Sequence, residues 1–457
     1  MDVEFQQFAW AGAAISAWAA LTLGIYIRTR FQRREAEPAD MPVADTNEPV
    51  TLVLWASQTG FAEDLALRTG RALRDAGVNT RILPIATVTN DQIAGAKSAL
   101  IIASTTGEGD APDGAERFLQ RDLPALYGLE YALLALGDSS YAHYCGFGHK
   151  LDHFLRAKGA HPLTDLVEVD NGDVGALHHW QQQLWLFGAS RSEPDWAPPE
   201  YGAWRLARRD HLNPGSAGKP VWHIRLEPQG DLPEWIPGAI AEIYPGPADP
   251  ILTGGQAPSL PHREYSIASL PSDGGVELVV RLRELEDGTF GLGSGWLCDQ
   301  APVGAPIGMR LRANSGFAPP SDETPMILVG NGTGIAGLRA HIKARPAGTR
   351  NWLIFGERNS AHDSLLGNEI AEWIASGHLE RCDLVFSRDG EGPRYVADQI
   401  EAAAEEVMSW VMAGGAIFVC GSLSGMAGDV DTTLARILDR ENLDDLIDQG
   451  RYRRDVY

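Results

Sequence analysis

Beyond residue 50 the apolar positions gather in short runs, at Thr51–Trp55, Arg81–Ile85, Ala99–Ala103 and Tyr131–Leu136, with helical stretches between them. Short apolar runs alternating with helices suit strands covered on both faces, so they predict a doubly wound parallel sheet. The pattern then changes. Val221–Leu226 and Val276–Leu282 read as strands separated by Pro/Gly turns, which predicts a small antiparallel barrel. It changes again at Met326–Gly330, a strand that runs into a glycine turn and a helix, with a further strand at Ala416–Val419. A second α/β domain is expected there.

Before residue 50 the pattern is different. Phe8–Ile27 carries no charged residue and, at about 1.5 Å rise per residue, is long enough to cross a bilayer core as a helix. Trp10 and Tyr26 sit near its ends, where amphipathic rings favour the interface. Asp2 and Glu4 precede it, and Arg28, Arg30, Arg33 and Arg34 follow it. The positive-inside rule puts everything after Arg28 in the cytoplasm. A cleaved signal peptide is the alternative, but it wants a basic start and a shorter apolar run. Residues 35–48 lack periodicity and read as a tether.

A chain of 457 residues exceeds one ordinary core, so two to four domains are expected. The net charge of −23 argues against nucleic acid as a partner and suits either plain solubility or a basic docking partner. Cys145, Cys298, Cys382 and Cys420 lie far apart with no CxxC pair, so neither a disulfide framework nor a metal site is expected.

Glycine- and hydroxyl-rich loops fall at the carboxyl ends of the first group of strands, where ligands of such sheets sit. The first is Ser57-Gln58-Thr59-Gly60-Phe61-Ala62, at a helix start, where free amides form an anion site. It has no Lys, unlike a nucleoside-triphosphate loop. The second is Ser104-Thr105-Thr106-Gly107-Glu108-Gly109, whose glycines let backbone approach a flat ring. The third is Leu136-Gly137-Asp138-Ser139-Ser140-Tyr141, followed by Cys145.

These loops, together with Arg263-Glu264-Tyr265-Ser266, Gly291-Leu292-Gly293-Ser294-Gly295, Gly330-Asn331-Gly332-Thr333-Gly334, Ser387-Arg388, Arg394-Tyr395, Cys420 and the ending Arg454-Asp455-Val456-Tyr457, resemble the diflavin reductases, most closely the sulfite reductase flavoprotein branch. The resemblance covers roughly residues 50 to 457. It implies a flavodoxin-like FMN domain over 49–190, a linker over 191–218, an FAD-binding barrel over 219–320 and a ferredoxin-reductase-like NADPH domain over 321–457. The anchor and tether occupy 1–34 and 35–48.

By that resemblance the three loops hold FMN, with Tyr141 stacked on its ring. Arg263 and the Gly291–Ser294 turn hold the FAD pyrophosphate, and Tyr265 and Ser266 lie at the flavin. Gly332, Thr333 and Gly334 hold the NADPH phosphates, and Ser387, Arg388, Arg394 and Tyr395 the 2′-phosphate end. Ser266, Cys420 and Asp455 act in hydride transfer, and Tyr457 covers the flavin. Thr106 stands where cytochrome reductases have an aromatic, and Gly337 where the family has a Pro. The helical connecting domain of full-length members has no room between Pro245 and Arg263. The implied activity is electron transfer from NADPH through FAD and FMN to a protein carrying haem or siroheme, or to a membrane-associated redox protein; the N-terminal anchor, not the resemblance, places it at a bacterial inner membrane. A self-contained reductase of quinone, ferric chelate or oxygen, and a non-catalytic flavin sensor or assembly subunit, are the alternatives.

Overall fold

The computed structural model describes residues 50–457 apart from 140, 191–195, 197–199, 249–251, 253–259, 286 and 391. The expected membrane anchor lies outside the described residues. Among the described residues no helix is long and apolar enough to cross a membrane.

The first sheet contains β1 (Thr51–Ala56), β2 (Thr80–Pro84), β3 (Ser98–Ser104), β4 (Glu130–Gly137), β5 (His161–Pro162) and β6 (Val167–Asp170). Its parallel order is β2-β1-β3-β4-β5, with β6 also paired to β4. This is the flavodoxin-like order, in which the fifth strand is split in two. One face buries Leu52, Leu54, Ile101, Leu133 and Phe147. The other buries Val53, Leu65, Leu100, Leu134 and Trp180. Burial on both faces is why these strands read as unbroken apolar runs.

The second sheet contains β7 (Gly202–His211), β8 (Val221–Pro228), β9 (Ile240–Ile243), β10 (Arg263–Ser266), β11 (Val276–Arg281) and β12 (Pro306–Arg312). It is antiparallel, in the order β10-β9-β12-β7-β8-β11. Ala268 N–H donates to the Glu277 carbonyl at 2.8 Å just past β10, so the two edges meet and the sheet closes around Leu206, Ile224, Ile243, Leu278 and Ile307. One boundary needs correcting. Residues 202–211, expected inside a 191–218 linker, are the barrel's central strand β7. Their charged, outward-facing positions hide the strand from a periodicity reading.

The third sheet is parallel, in the order β15 (Arg381–Phe386), β14 (Asn351–Glu357), β13 (Met326–Asn331), β16 (Ala416–Gly421) and β17 (Tyr452–Val456). Its strand order is that of a nucleotide-binding half. Helix α1 (Ile335–Ala344) follows the glycine turn after β13.

A buried ion cluster joins this helix to the barrel. Arg339 donates to the Ala268 carbonyl at 2.6 Å, to Glu277 at 2.7 Å and to Glu369 at 2.6 and 3.0 Å. Burial opposes ionisation of Glu277, but His223, Arg339 and Arg225 outweigh it and hold the carboxyl well below its usual range. Removing one partner of a buried pair strands the other's charge, at a cost of about 3–5 kcal/mol. Arg339→Met is therefore expected to lower the thermal unfolding midpoint markedly. Lys343→Met, which breaks the more exposed 2.7 Å pair with Asp273, should cost no more than about 1 kcal/mol. Equal shifts in calorimetry would show that the buried cluster has no special weight.

Candidate functional site

Two cavities open at the carboxyl ends of the parallel sheets. The first, of about 330 Å³, is walled by loops after β1, β3, β4 and β6 and by the start of β10. Of the residues expected to hold FMN, it brings together Gln58, Thr59, Phe61, Ser104, Thr105, Thr106, Gly107, Leu136, Gly137, Asp138, Tyr141 and Cys145. Ser57, Gly60, Ala62 and Gly109 lie in the same loops, off the wall.

Local chemistry explains the loop shapes. The Ser57 hydroxyl accepts the Gly60 and Ala62 amides at 2.8 and 3.3 Å, shaping the helix start as an anion cradle. At Gly137 an added Cβ would lie 2.9 Å from Cys145 N, so a side chain there would push the Cys145 loop into the cavity. Cys145 adopts φ 52°, its thiol pushed up to about 11 by burial and hydrogen-bonded to the Ala135 carbonyl. It is therefore a neutral structural group.

Gln58, on that wall, also reaches across to a distant strand. Its Nε2 donates to the Arg454 carbonyl at 2.6 Å and meets Asp113 at 3.2 Å. The wall also holds residues that the sequence reading passed over: His143, Tyr144, Asn171, Gly172, His262 and Glu264. Asn171 (φ 47°) and Gly172 form a turn after the very short β6, and an Asn-Gly pair at a strand's carboxyl end was the available signal.

The second cavity, of about 540 Å³, lies over the third sheet. It gathers the expected Gly332, Thr333, Ser387, Arg394 and Tyr395, and adds Arg281 and Arg358. Gly334 sits beneath, where an added Cβ would strike the Cys420 carbonyl at 2.0 Å. Arg388 is exposed and off the wall, its amide bonded to the Arg358 carbonyl at 2.7 Å. Arg358, also exposed, lines that wall.

Tyr457 lines both cavities. Its amide donates to the Gly421 carbonyl at 3.1 Å and its hydroxyl to Thr333 at 3.2 Å. Beneath it the parallel register sets Cys420 opposite Asp455. The Ser266 hydroxyl donates to Asp455 Oδ2 at 2.6 Å, and the Cys420 thiol lies 3.8 Å from the same oxygen. Three elements from two domains thus converge on one buried carboxylate. Arg263 and Tyr265 stand alongside on β10, against Gly293, where an added Cβ would lie 2.5 Å from the Tyr265 hydroxyl. Ser294 accepts the Arg283 amide at 3.1 Å, which fixes the Gly291 turn beside them. Among the described residues, Arg263 Nη1 meets the Pro261 and His262 carbonyls, at 3.3 and 2.9 Å, and the rest of the fork suits an anion.

Burial pushes the Asp455 carboxyl up to about 6, against the hydrogen bond from Ser266. The folded chain then holds this proton more tightly than the unfolded one, so the group's contribution to stability is full below about pH 4 and is lost as pH rises through 6. Asp455→Asn should therefore be more stable than the parent at pH 7.5, on the order of 3 kcal/mol, with little difference at pH 4. Unfolding midpoints at the two pH values check this. A gain that is the same at both would mean that Asp455 does not titrate in that window.

Residues 53–180 match the flavodoxin family and residues 328–432 the oxidoreductase NAD-binding domain family. The chain is also similar to curated proteins named sulfite reductase [NADPH] flavoprotein alpha-component. The Vibrio cholerae protein is 27% identical, covering 89% of this chain and 87% of its own length. The Neisseria meningitidis serogroup C protein is 26% identical over 98% and 96%, and the Bacillus subtilis protein 25% identical over 92% and 91%. The Vibrio match runs over 534 aligned positions, more than the 457 residues of this chain, so that relative carries residues this chain lacks. With a flavodoxin sheet, a barrel and an oxidoreductase nucleotide domain in that order, and relatives matched along most of both lengths, the chain belongs to the diflavin reductase family.

Proposed function

We propose that this protein is an NADPH-dependent diflavin reductase that delivers electrons to a haem-containing protein partner, tethered to a membrane by residues 8–27 with its catalytic part in the cytoplasm. The observation that carries the reading is Tyr457, shared by both cavities and seated above the Ser266–Asp455–Cys420 cluster. A binding-only subunit has no need of a buried carboxylate at that point.

The residues fit the groups that the family uses. The helix-start amides after β1 and the flat glycine-lined walls suit FMN. Arg263 and the Gly291–Ser294 turn suit an FAD pyrophosphate. Arg394, Arg358 and Ser387 offer two cations and a hydroxyl to the 2′-phosphate of NADPH. Bound together, the two flavins convert a two-electron donor into single-electron delivery. The protein's part is geometric and electrostatic. Ser266 and Cys420 offer hydrogen-bond donors where the nicotinamide ring must lie. Asp455 orients both and changes protonation near pH 6. Tyr457 fills that place and must yield it, so part of the nucleotide's binding energy goes into the exchange.

The relatives are named as the alpha-component of a sulfite reductase, which supports a second, protein component as acceptor, and the uncharged stretch Phe8–Ile27 with Arg28, Arg30, Arg33 and Arg34 after it supports the tether. Affinity capture from solubilised membranes, followed by a haem spectrum of the captured fraction, tests both.

Flavin released by heat should resolve chromatographically into FAD and FMN in equal amounts. A single species would sink the two-flavin reading. Arg394→Ala should raise the KM for NADPH about tenfold or more and leave that for NADH nearly unchanged, since one charge-assisted contact is worth about 1.5–3 kcal/mol. Arg388→Ala should do much less, because its side chain is off the wall. Equal losses with both donors would mark Arg394 as structural.

A further inference from the structure

β17 is an edge strand of the third sheet, paired on one side with β16. Its other side meets the flavodoxin-like half. Gln58 Nε2, from the loop after β1, donates to the Arg454 carbonyl at 2.6 Å. Asp113, from the loop after β3, gives its amide to Gln58 Oε1 at 3.1 Å. The Arg454 guanidinium closes the ring on Asp113, with Nε 2.9 Å from Oδ2 and Nη2 on Oδ1. One residue of the strand is therefore gripped by main chain and side chain from two separate loops. Both charged groups are only about a fifth exposed, which limits screening.

The next residue is Asp455. Adjacent strand residues face opposite ways. Arg454 reaches out to the flavodoxin-like half, and Asp455 reaches in to Ser266 and Cys420. A shift of the strand that frees one displaces the other. A second, independent contact acts on the following segment. The Leu423 amide donates to the Tyr457 carbonyl at 2.9 Å, and an added Cβ on Gly107 of the flavodoxin-like half would lie 2.5 Å from Leu423 Cδ2. Two loops of the first half thus bear on the two residues that shape the nicotinamide place.

We infer that docking of the flavodoxin-like half positions the hydride-accepting end of the molecule, with Asp113 a positioning residue that acts through Arg454 on Asp455 and Tyr457. This rests on the reductase reading and extends it: the two electron-transfer steps share one mechanical element. By linkage, nicotinamide nucleotide bound beside Tyr457 must also alter how firmly the first half docks. An interface that served only to hold the halves together has no reason to grip the residue next to the catalytic carboxylate.

The test compares the full-length flavin-loaded protein with Asp113→Asn, Asp113→Glu and Arg454→Lys, and with Arg156→Gln as a control remote from β17. Hydrogen exchange is followed over residues 452–457, with the β16 segment 416–421 reporting on intact folding. Anaerobic flavin reduction by NADPH is followed in parallel. Asp113→Asn should speed exchange of 452–457 about fivefold or more and slow flavin reduction comparably, with segment 416–421 unchanged. Asp113→Glu should restore much of both, Arg454→Lys should fall between, and Arg156→Gln should match the parent. Unchanged exchange of 452–457 in a folded Asp113→Asn protein overturns the inference, whether or not onward electron delivery falls. The exchange measurement needs no electron donor. If the purified chain carried no flavin the reductase reading would fall, and the coupling would still be decided.

Discussion

The approach of the flavodoxin-like half to the barrel rim centres on one buried guanidinium. Arg312, at the end of β12, bonds Glu242 on β9, Glu264 on β10 and the Thr59 carbonyl in the loop after β1, and lies 5.9 Å from the Phe61 ring centre. Arg310 takes the other Glu242 oxygen, so two cations face two carboxylates. Burial opposes ionisation of Glu264, yet Arg312 and then His262 outweigh it and bring the carboxyl down to about 2. Such a cluster is tolerable only when complete, because any missing partner strands a charge away from water. Glu242, His262 and Glu264 have the spacing of a metal site, but the guanidinium already occupies both carboxylates. The consequence is positional. The flavodoxin-like phosphate loop is held at the barrel rim, and that is why residues of β10 and β17 complete the wall of the first cavity.

Direct docking of this kind sets the distance between the halves. β9 and β10 are antiparallel neighbours in the barrel, and the match to the Vibrio protein spans more positions than this chain contains. Loop residues of the two halves meet directly. Gly60 shows the cost in side-chain freedom: at φ 89°, an added Cβ there would lie 2.7 Å from the Ala313 carbonyl across the interface. The same glycine serves the helix start of one half and the close approach of the other. Arg117, Arg312 and Arg454 all cross the boundary, so in a chain of net charge −23 a few cations placed between acidic surfaces hold the halves together.

The sequence made legible whatever depends on burial or local geometry. Strands covered on both faces announce themselves as apolar runs, and the β1, β3 and β4 loops announce themselves through glycine and hydroxyl residues at strand ends. What stayed hidden depends on partners far along the chain. β7 buries Trp204 and Leu206 while its Arg and Asp residues face out, so nothing in Gly202–His211 distinguishes it from a charged linker until β8 and β12 are beside it. Gln58 stood in a recognisable motif, but its amide answers to Asp113 and to Arg454, 396 positions away. Arg358 joins the wall of the second cavity for a similar reason: which arginine at neighbouring strand ends lines it is settled by the fold of both loops, and composition is blind to it.

The arrangement around Cys420 shows how much of the chemistry rests on absent side chains. Gly334 lets the turn after β13 press against the Cys420 carbonyl, and Gly421, at φ 139°, lets the chain bend away beside Asn331, whose Oδ1 accepts the Ser422 amide at 3.0 Å. Thr333 is thereby brought within reach of the Tyr457 hydroxyl. Gly337 stands where the family pattern has a proline, and an added Cβ there would lie 3.1 Å from the Cys420 sulfur and 3.7 Å from Asp455 Oδ2. A proline would therefore crowd the triad and remove an amide that faces the thiol. Behind it, His341 packs between Phe317 and Phe418, its imidazole pushed down to about 3 by burial, so no cation competes for Asp455 from that side. The carboxylate is left with two neutral donors, Ser266 and Cys420, and with burial as the dominant influence on its proton. A group so placed can change its charge when the local dielectric changes, which a carboxylate locked to an arginine could not do.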